Sequence, residues 1–117
     1  MYFRHGFTLE DLPESQQWLG QALVAAFPGI TIQTTSSVQE AHRTLAGGCA
    51  PDVALIDLGL PDGSGVSIIE EIKKTRPHCL CVVTSIYNDD AHVFPALRAG
   101  ATGYLLKDQP IAVIVLA

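Results

Sequence analysis

The stretch Pro51–Gly65, PDVALIDLGLPDGSG, runs from an apolar segment into a single acid and then into a glycine-rich loop. Val53, Ala54, Leu55 and Ile56 are consecutive apolar side chains. Such a run is the signature of a strand buried on both faces, as in parallel sheets covered by helices. Asp57 then falls at the carboxyl end of the strand. In open α/β sheets, ligands bind outside the carboxyl ends of strands, above all where neighbouring connections leave in opposite directions. Two readings of Asp57 stand at this point: a residue that opens a turn among Gly and Pro, or a reactive carboxylate at a ligand-binding edge.

Around this run, short apolar segments alternate with helical patterns, which predicts a parallel sheet with helices on both faces. Strands are expected near residues 6–10, 30–34, 52–57, 79–84 and 102–106. A first helix over about 13–26 repeats Leu19, Ala22, Leu23 and Ala26 at helical spacing and is followed by Pro28. A second, over about 38–46, stops at Gly47-Gly48. The third starts after Gly65, turns Val66, Ile69 and Ile72 inward and Glu70, Glu71, Lys73 and Lys74 outward, and ends by Pro77. The fourth, about 89–99, contains Pro95 and ends at Gly100.

The 117 residues make one domain with room for a real core. A hydrophobic content of 48% against 16% charged residues excludes a disordered chain. With a net charge of −5 and no basic stripe, the chain is a poor candidate for gripping nucleic acid directly, because neutralised phosphates supply most of that affinity. The longest wholly apolar segment, Ile111–Ala117, falls far short of the roughly 20 residues of a membrane span. Arg4 and His5 interrupt any signal-peptide pattern. No membrane partner is expected, and a cytoplasmic location is. Cys49, Cys79 and Cys81 lack metal-ligand spacing and read as reduced thiols acting as small hydrophobes.

Polar residues end three further strands: Glu10-Asp11 the first, Thr84-Ser85 the fourth and Lys107-Asp108 the fifth. Right-handed crossovers point all these ends the same way. Three carboxylates, a hydroxyl and an ammonium are therefore expected at one edge. Two like charges 4 Å apart repel by roughly 1 kcal/mol in water and about 4 kcal/mol near a protein surface, so the cluster calls for a cation. Oxygen ligands with open positions suit Mg²⁺, and Lys107 is placed to neutralise a phosphoryl oxygen. Each residue also has an ordinary use. Asp11 starts a capping-box sequence with Glu14 and is expected to cap the first helix as well as serve the site. Thr84 suits any strand, Lys107 any surface and Tyr104 any core. Their coincidence at four strand ends favours a site.

Glu10-Asp11, VALIDLGLPDGSG, VVTS and GYLLKD stand in the order found in the receiver domain of two-component response regulators, and the resemblance covers nearly the whole chain. LRAGATGYLLKD is similar to the NarL/LuxR class of transcriptional regulators. The resemblance implies a flavodoxin-like, doubly wound five-stranded parallel sheet in the order 2-1-3-4-5 with helices on both faces, an order general principles already attach to this kind of fold. It implies that Asp57 accepts a phosphoryl group from a histidine kinase or phosphotransfer protein. Asp11, Asp57 and the backbone carbonyl of Gly59 would bind Mg²⁺, with Glu10 acting through water. Lys107 would pair with the phosphoryl group, Thr84 would hydrogen-bond to it, and Thr84 and Tyr104 would form the switch. Gly59 and Ile86 would flank the hydrolytic water without orienting it. Such a chain is a signalling switch whose only chemistry is phosphoryl acceptance and its own dephosphorylation.

Two regions depart from the pattern. Arg4, His5 and Gly6 occupy positions where a central first strand should be apolar, so either the strand is only Phe7–Glu10 or this end is altered. Ile111–Ala117 has no polar face for the expected last helix. The domain is therefore read as residues 1–117 with no output domain, and the apolar end as a cut within or just after the start of that helix, self-association through this end, or both; DNA would be reached only through an output domain. A haloacid-dehalogenase-type phosphoaspartate hydrolase places its nucleophile on the first strand with a second Asp two residues on, whereas Gly59 stands there here. The alternative from another class is a degenerate receiver, a dimerisation or binding module that works without phosphorylation.

Overall fold

The structure, a computed structural model, describes residues 3–85, 90–106 and 113–115. Its elements are β1 (His5–Leu9), α1 (Pro13–Ala26), β2 (Thr31–Thr35), α2 (Val38–Ala46), β3 (Val53–Asp57), β4 (Gly59–Leu60), β5 (Gly63–Ser64), α3 (Val66–Thr75), β6 (Leu80–Ser85), α4 (Asp90–Ala99), β7 (Gly103–Leu106) and β8 (Val113–Val115). The strands β2, β1, β3, β6 and β7 lie side by side in that order and pair parallel. This is the expected doubly wound order, with β4 and β5 forming a separate two-residue hairpin. The chain leaves β1 outward to β2 and then crosses to β3. The carboxyl ends of β1 and β3 therefore border the crevice where such sheets bind ligands.

Every residue of β3 is buried. Ala54 and Ile56 join Phe7, Leu9, Cys81 and Val83 in a core closed by Ala41 and Leu45 of α2 and by Ile68, Ile69 and Ile72 of α3. Val53 and Leu55 point the other way and pack with Val82, Leu105 and the α1 residues Leu19 and Leu23. Two-sided burial is what four consecutive apolar residues require. Side chains such as Ile56 and Ile72, both fully buried, stabilise the fold by roughly 1.5–3 kcal/mol each relative to exposure.

The helix boundaries follow local chemistry. α1 starts at Pro13, whose missing amide costs nothing in a first turn. α2 starts after Ser37, whose hydroxyl accepts the Glu40 amide at 3.0 Å, and ends at Gly47, with Gly48 in the left-handed region at φ 102°. The first strand runs from His5 rather than from Phe7. Gly6 fits a crowded position: a Cβ would lie 3.1 Å from Ile30 Cδ1 and 3.2 Å from Leu23 Cδ1, so these side-chain ends would have to give way by a few tenths of an ångström.

At the other end, Val113–Val115 pairs antiparallel with β7. The expected last helix is corrected for these three residues. Two of them are β-branched valines around an isoleucine, which favour a strand, and β7 offers its open edge. Cys79 and Cys81 are buried in the core and all three thiols are free. Hydrogen bonding with Cys81 and burial push the Cys79 thiol up, in keeping with a packing role. Among the described residues, no helix is long and apolar enough to cross a membrane.

Candidate functional site

Glu10 directly follows β1 and Asp57 ends β3, and the parallel register of the two strands sets Leu9 opposite Ile56. The next step along each strand brings the two acids to the same edge. Glu10 is fully buried and Asp57 is 8% exposed. The Glu10 amide donates to Thr35 O at 3.0 Å, and its carbonyl accepts Gln16 Nε2 at 2.6 Å. Its backbone is thus held from β2 on one side and α1 on the other.

Asp11 completes the cluster. One carboxylate oxygen from each of Glu10, Asp11 and Asp57 can be chosen so that all lie within 4.8 Å of one another. The expected capping role of Asp11 is corrected: the N-cap of α1 is Leu12, and no side chain caps this helix. The prolyl nitrogen at Pro13 has no hydrogen to offer a cap, and Asp11 belongs to the acidic cluster instead. At such separations ionised carboxylates repel by roughly 3–4 kcal/mol per pair at an effective dielectric of 20. Hard oxygen donors gathered this closely fit a divalent cation such as Mg²⁺ or Ca²⁺.

Thr84 lies on β6 directly opposite Asp57 in the sheet register. It is fully buried, and its Oγ1 has no hydrogen-bond partner among the described residues. A buried hydroxyl without a partner costs about 1–3 kcal/mol, which a ligand oxygen at the site would recover. Tyr104, on β7, is 4% exposed and packs in the same core as Ala96 of α4 and Val83 of β6. Lys107 and Ile86 lie outside the described residues.

The loop after Asp57 is built around its backbone. The Gly59 amide donates to Asp57 Oδ1 at 3.2 Å, and a Cβ on Gly59 would meet nothing within 4 Å. At Gly65 the reverse holds: a Cβ would sit 2.0 Å from Asp57 O and 2.7 Å from Ile56 Cγ2. Only glycine lets α3 start this close to the end of β3.

Sequence reading placed Glu10, Asp11, Asp57, Gly59 and Thr84 at this edge, and the structure gathers them there. It missed Gln16 and Thr35, which hold the Glu10 backbone, and Asp62. The Asp62 carboxylate accepts the amides of Val38 at 2.9 Å and Gln39 at 3.0 Å. These two bonds lower its pKa below the usual carboxylate value. The pattern Ser37-x-x-Glu40 marks a helix start and so signals amides in search of acceptors, but nothing local names Asp62 as one of them.

The family model for the response regulator receiver domain matches residues 7–117. Among curated proteins, the nitrate/nitrite response regulator protein NarL of Escherichia coli is 35% identical over 87 residues, covering 74% of this chain and 40% of that protein. The photosynthetic apparatus regulatory protein RegA of Cereibacter sphaeroides is 37% identical over 79 residues, covering 68% and 42%. The DNA-binding transcriptional activator DevR/DosR of Mycobacterium tuberculosis is 38% identical over 58 residues, covering 50% and 27%. The chain therefore spans less than half the length of these relatives. Among solved structures, the beryllofluoride-activated DrrB receiver domain superposes with a TM-score of 0.78 at 24% identity, covering 94% of this chain and 88% of that one. The chemotaxis response regulator CheY4 of Vibrio cholerae gives 0.77 at 18% identity, covering 91% and 88%. Both share the fold. With the family match reaching from Phe7 in the first strand to the last residue, and the acids of β1 and β3 converging on one edge, this chain belongs to the receiver domains of two-component response regulators, signalling proteins whose relatives here are transcriptional regulators of the NarL type.

Proposed function

We propose that Asp57 accepts a phosphoryl group from the phosphohistidine of a histidine kinase or phosphotransfer protein, and that Thr84 and Tyr104 transmit the change. The observation that carries this reading is the convergence of Glu10, Asp11 and Asp57 beside the buried Thr84 hydroxyl. In the transfer, a carboxylate oxygen of Asp57 attacks phosphorus as the P–N bond breaks, and the electron pair stays on the departing imidazole. Phosphoryl transfer of this kind asks mainly for positioning and charge neutralisation. Asp11, Asp57 and the Gly59 carbonyl would hold Mg²⁺, with Glu10 reaching it through water. The ion supplies positive charge against the phosphoryl oxygens.

Lys107 is assigned the companion positive charge. Thr84 Oγ1 donates to a phosphoryl oxygen and so gains the partner it lacks among the described residues. Its inward shift is coupled to packing around Tyr104, and the surface of α4 and β7 changes with it. Gly59 has no side chain and Ile86 only an apolar one, so neither would orient the hydrolytic water, and the lifetime of the phosphoaspartate follows the common site. Output is transcriptional control from the cytoplasm, through a domain outside this chain, with self-association of receiver domains as part of the response.

Incubation with acetyl phosphate and Mg²⁺, followed by intact-mass measurement, tests the reading. One added phosphoryl group is expected with Mg²⁺ and none after chelation with EDTA. Absence of labelling from acetyl phosphate and from a kinase donor alike would contradict it and favour the phosphorylation-independent binding module.

A further inference from the structure

The segment Gly59–Ser64, between the phosphoacceptor and α3, is a hairpin of two two-residue strands, with Gly59 opposite Ser64 and Leu60 opposite Gly63. Isolated hairpins are at best marginal in water even when longer. Something outside must hold it, and the contacts show what does. Asp62, at its tip, accepts with Oδ1 the amide of Val38 and with Oδ2 that of Gln39. Val38 and Gln39 are the first two residues of α2. Their amides have no acceptor within the helix. Ser37 Oγ satisfies the third amide, that of Glu40, so a side chain 24 residues away completes the cap. Gly63 packs beside the same helix end, and a Cβ there would lie 3.6 Å from Val38 Cγ2. α2 is itself fixed in the core by Val38, Ala41 and Leu45.

We infer that Asp62 is a positioning residue for the phosphorylation site. It clamps the tip of the hairpin to a rigid helix and thereby sets the orientation of Gly59. The Gly59 amide donates to Asp57 Oδ1, so the clamp acts on the reacting carboxylate through one peptide unit. The next peptide unit, between Gly59 and Leu60 of the hairpin itself, carries the Gly59 carbonyl proposed above as a Mg²⁺ ligand, and in that respect the inference rests on the proposed function. Residues that orient a metal's direct ligands typically change metal affinity by about 10–100-fold when removed.

The test uses the 117-residue chain and compares Asp62→Ala, Asp62→Asn and the unmodified protein. Mg²⁺ affinity is measured by calorimetry, and acetyl phosphate labelling is measured across Mg²⁺ concentrations. For Asp62→Ala, Mg²⁺ affinity should fall about tenfold, with the labelling rate at saturating Mg²⁺ largely retained. Asp62→Asn keeps an acceptor oxygen for the α2 amides and should recover part of the affinity. An unchanged Mg²⁺ affinity in Asp62→Ala, with only the melting temperature lowered, would make Asp62 a helix cap and overturn the inference. Equal losses in both variants would overturn it as well, since the effect would then follow charge rather than the clamp. Absence of labelling in the unmodified chain would break the phosphoacceptor reading, while the Mg²⁺ affinities would still decide the role of Asp62.

Discussion

Strand β3 has an aspartate at each end, and the two are put to different uses. Asp52, just before the strand, accepts the amides of Arg4 and His5 on Oδ2, both at 2.9 Å, while its own amide donates to His5 O at 2.8 Å and its carbonyl accepts the Leu80 amide at 2.9 Å. It ties β1, β3 and β6 together at the amino edge, and the two backbone amides hold its carboxyl below the usual range. Asp57, at the carboxyl edge, is almost wholly buried and stands among other acids. An acid surrounded by backbone donors is a structural tie. An acid surrounded by acids and a buried hydroxyl without a partner among the described residues is a place where a cation and an anion can be bound together.

The largest effect that would sharpen this contrast is on labelling. Asp57→Asn should abolish acetyl phosphate labelling, and Asp52→Asn should leave it intact. Loss in Asp52→Asn, measured by intact mass on folded protein, would erase the distinction between the two ends.

Next comes the backbone around Asp57. Gly65→Ala should destabilise by about 3 kcal/mol, the upper end of overpacking costs, because the new methyl collides with the Asp57 carbonyl. Urea unfolding would show this. A cost below about 1 kcal/mol would mean that α3 can back away and that the carboxyl edge is looser than described.

Asp52→Ala should cost less, about 1 kcal/mol, since its hydrogen bonds lie open to water. The pH dependence has a definite sign. The folded-state pKa of Asp52 is lowered, so its contribution is present above the ordinary carboxylate value of about 3.9 and disappears as pH falls through the lower, folded value. Unmodified protein should lose this increment in acid, and Asp52→Ala should not.

The smallest effect is expected at Thr84→Val. This nearly isosteric change replaces a buried hydroxyl by a methyl and should leave stability unchanged or raise it by up to about 1 kcal/mol. It should also blunt the phosphorylation-dependent change at Tyr104 seen by NMR. A clear loss of stability would mean that the hydroxyl is already satisfied in the resting protein.

Much of this was legible from residue order because β3 and the first two helices announce themselves locally: an apolar run ending in an acid, proline at a helix start, glycines at a helix end. The acids at the carboxyl edge were legible because parallel topology sends all strand ends one way. What was hidden depends on contacts between distant residues. Gly6 looked out of place in a strand until Ile30 and Leu23 were found against it. Asp11 matched a capping sequence, yet the helix begins one residue later and leaves Asp11 to the acidic cluster. Nothing near Asp62 in the chain marks its role, because its partners lie on a helix that precedes it. Val113–Val115 was read against an expected helix, whereas the open edge of β7 decides its pairing.

The central claim, that Asp57 and no other acid receives the phosphoryl group, is tested most directly by trapping the acyl phosphate. Reduction with borohydride converts an aspartyl phosphate to homoserine, which peptide mass mapping then locates. Homoserine is predicted at position 57 alone, formed only when Mg²⁺ was present during labelling. Homoserine at position 52, 11 or 62, or a labelled protein with position 57 unmodified, would contradict the account.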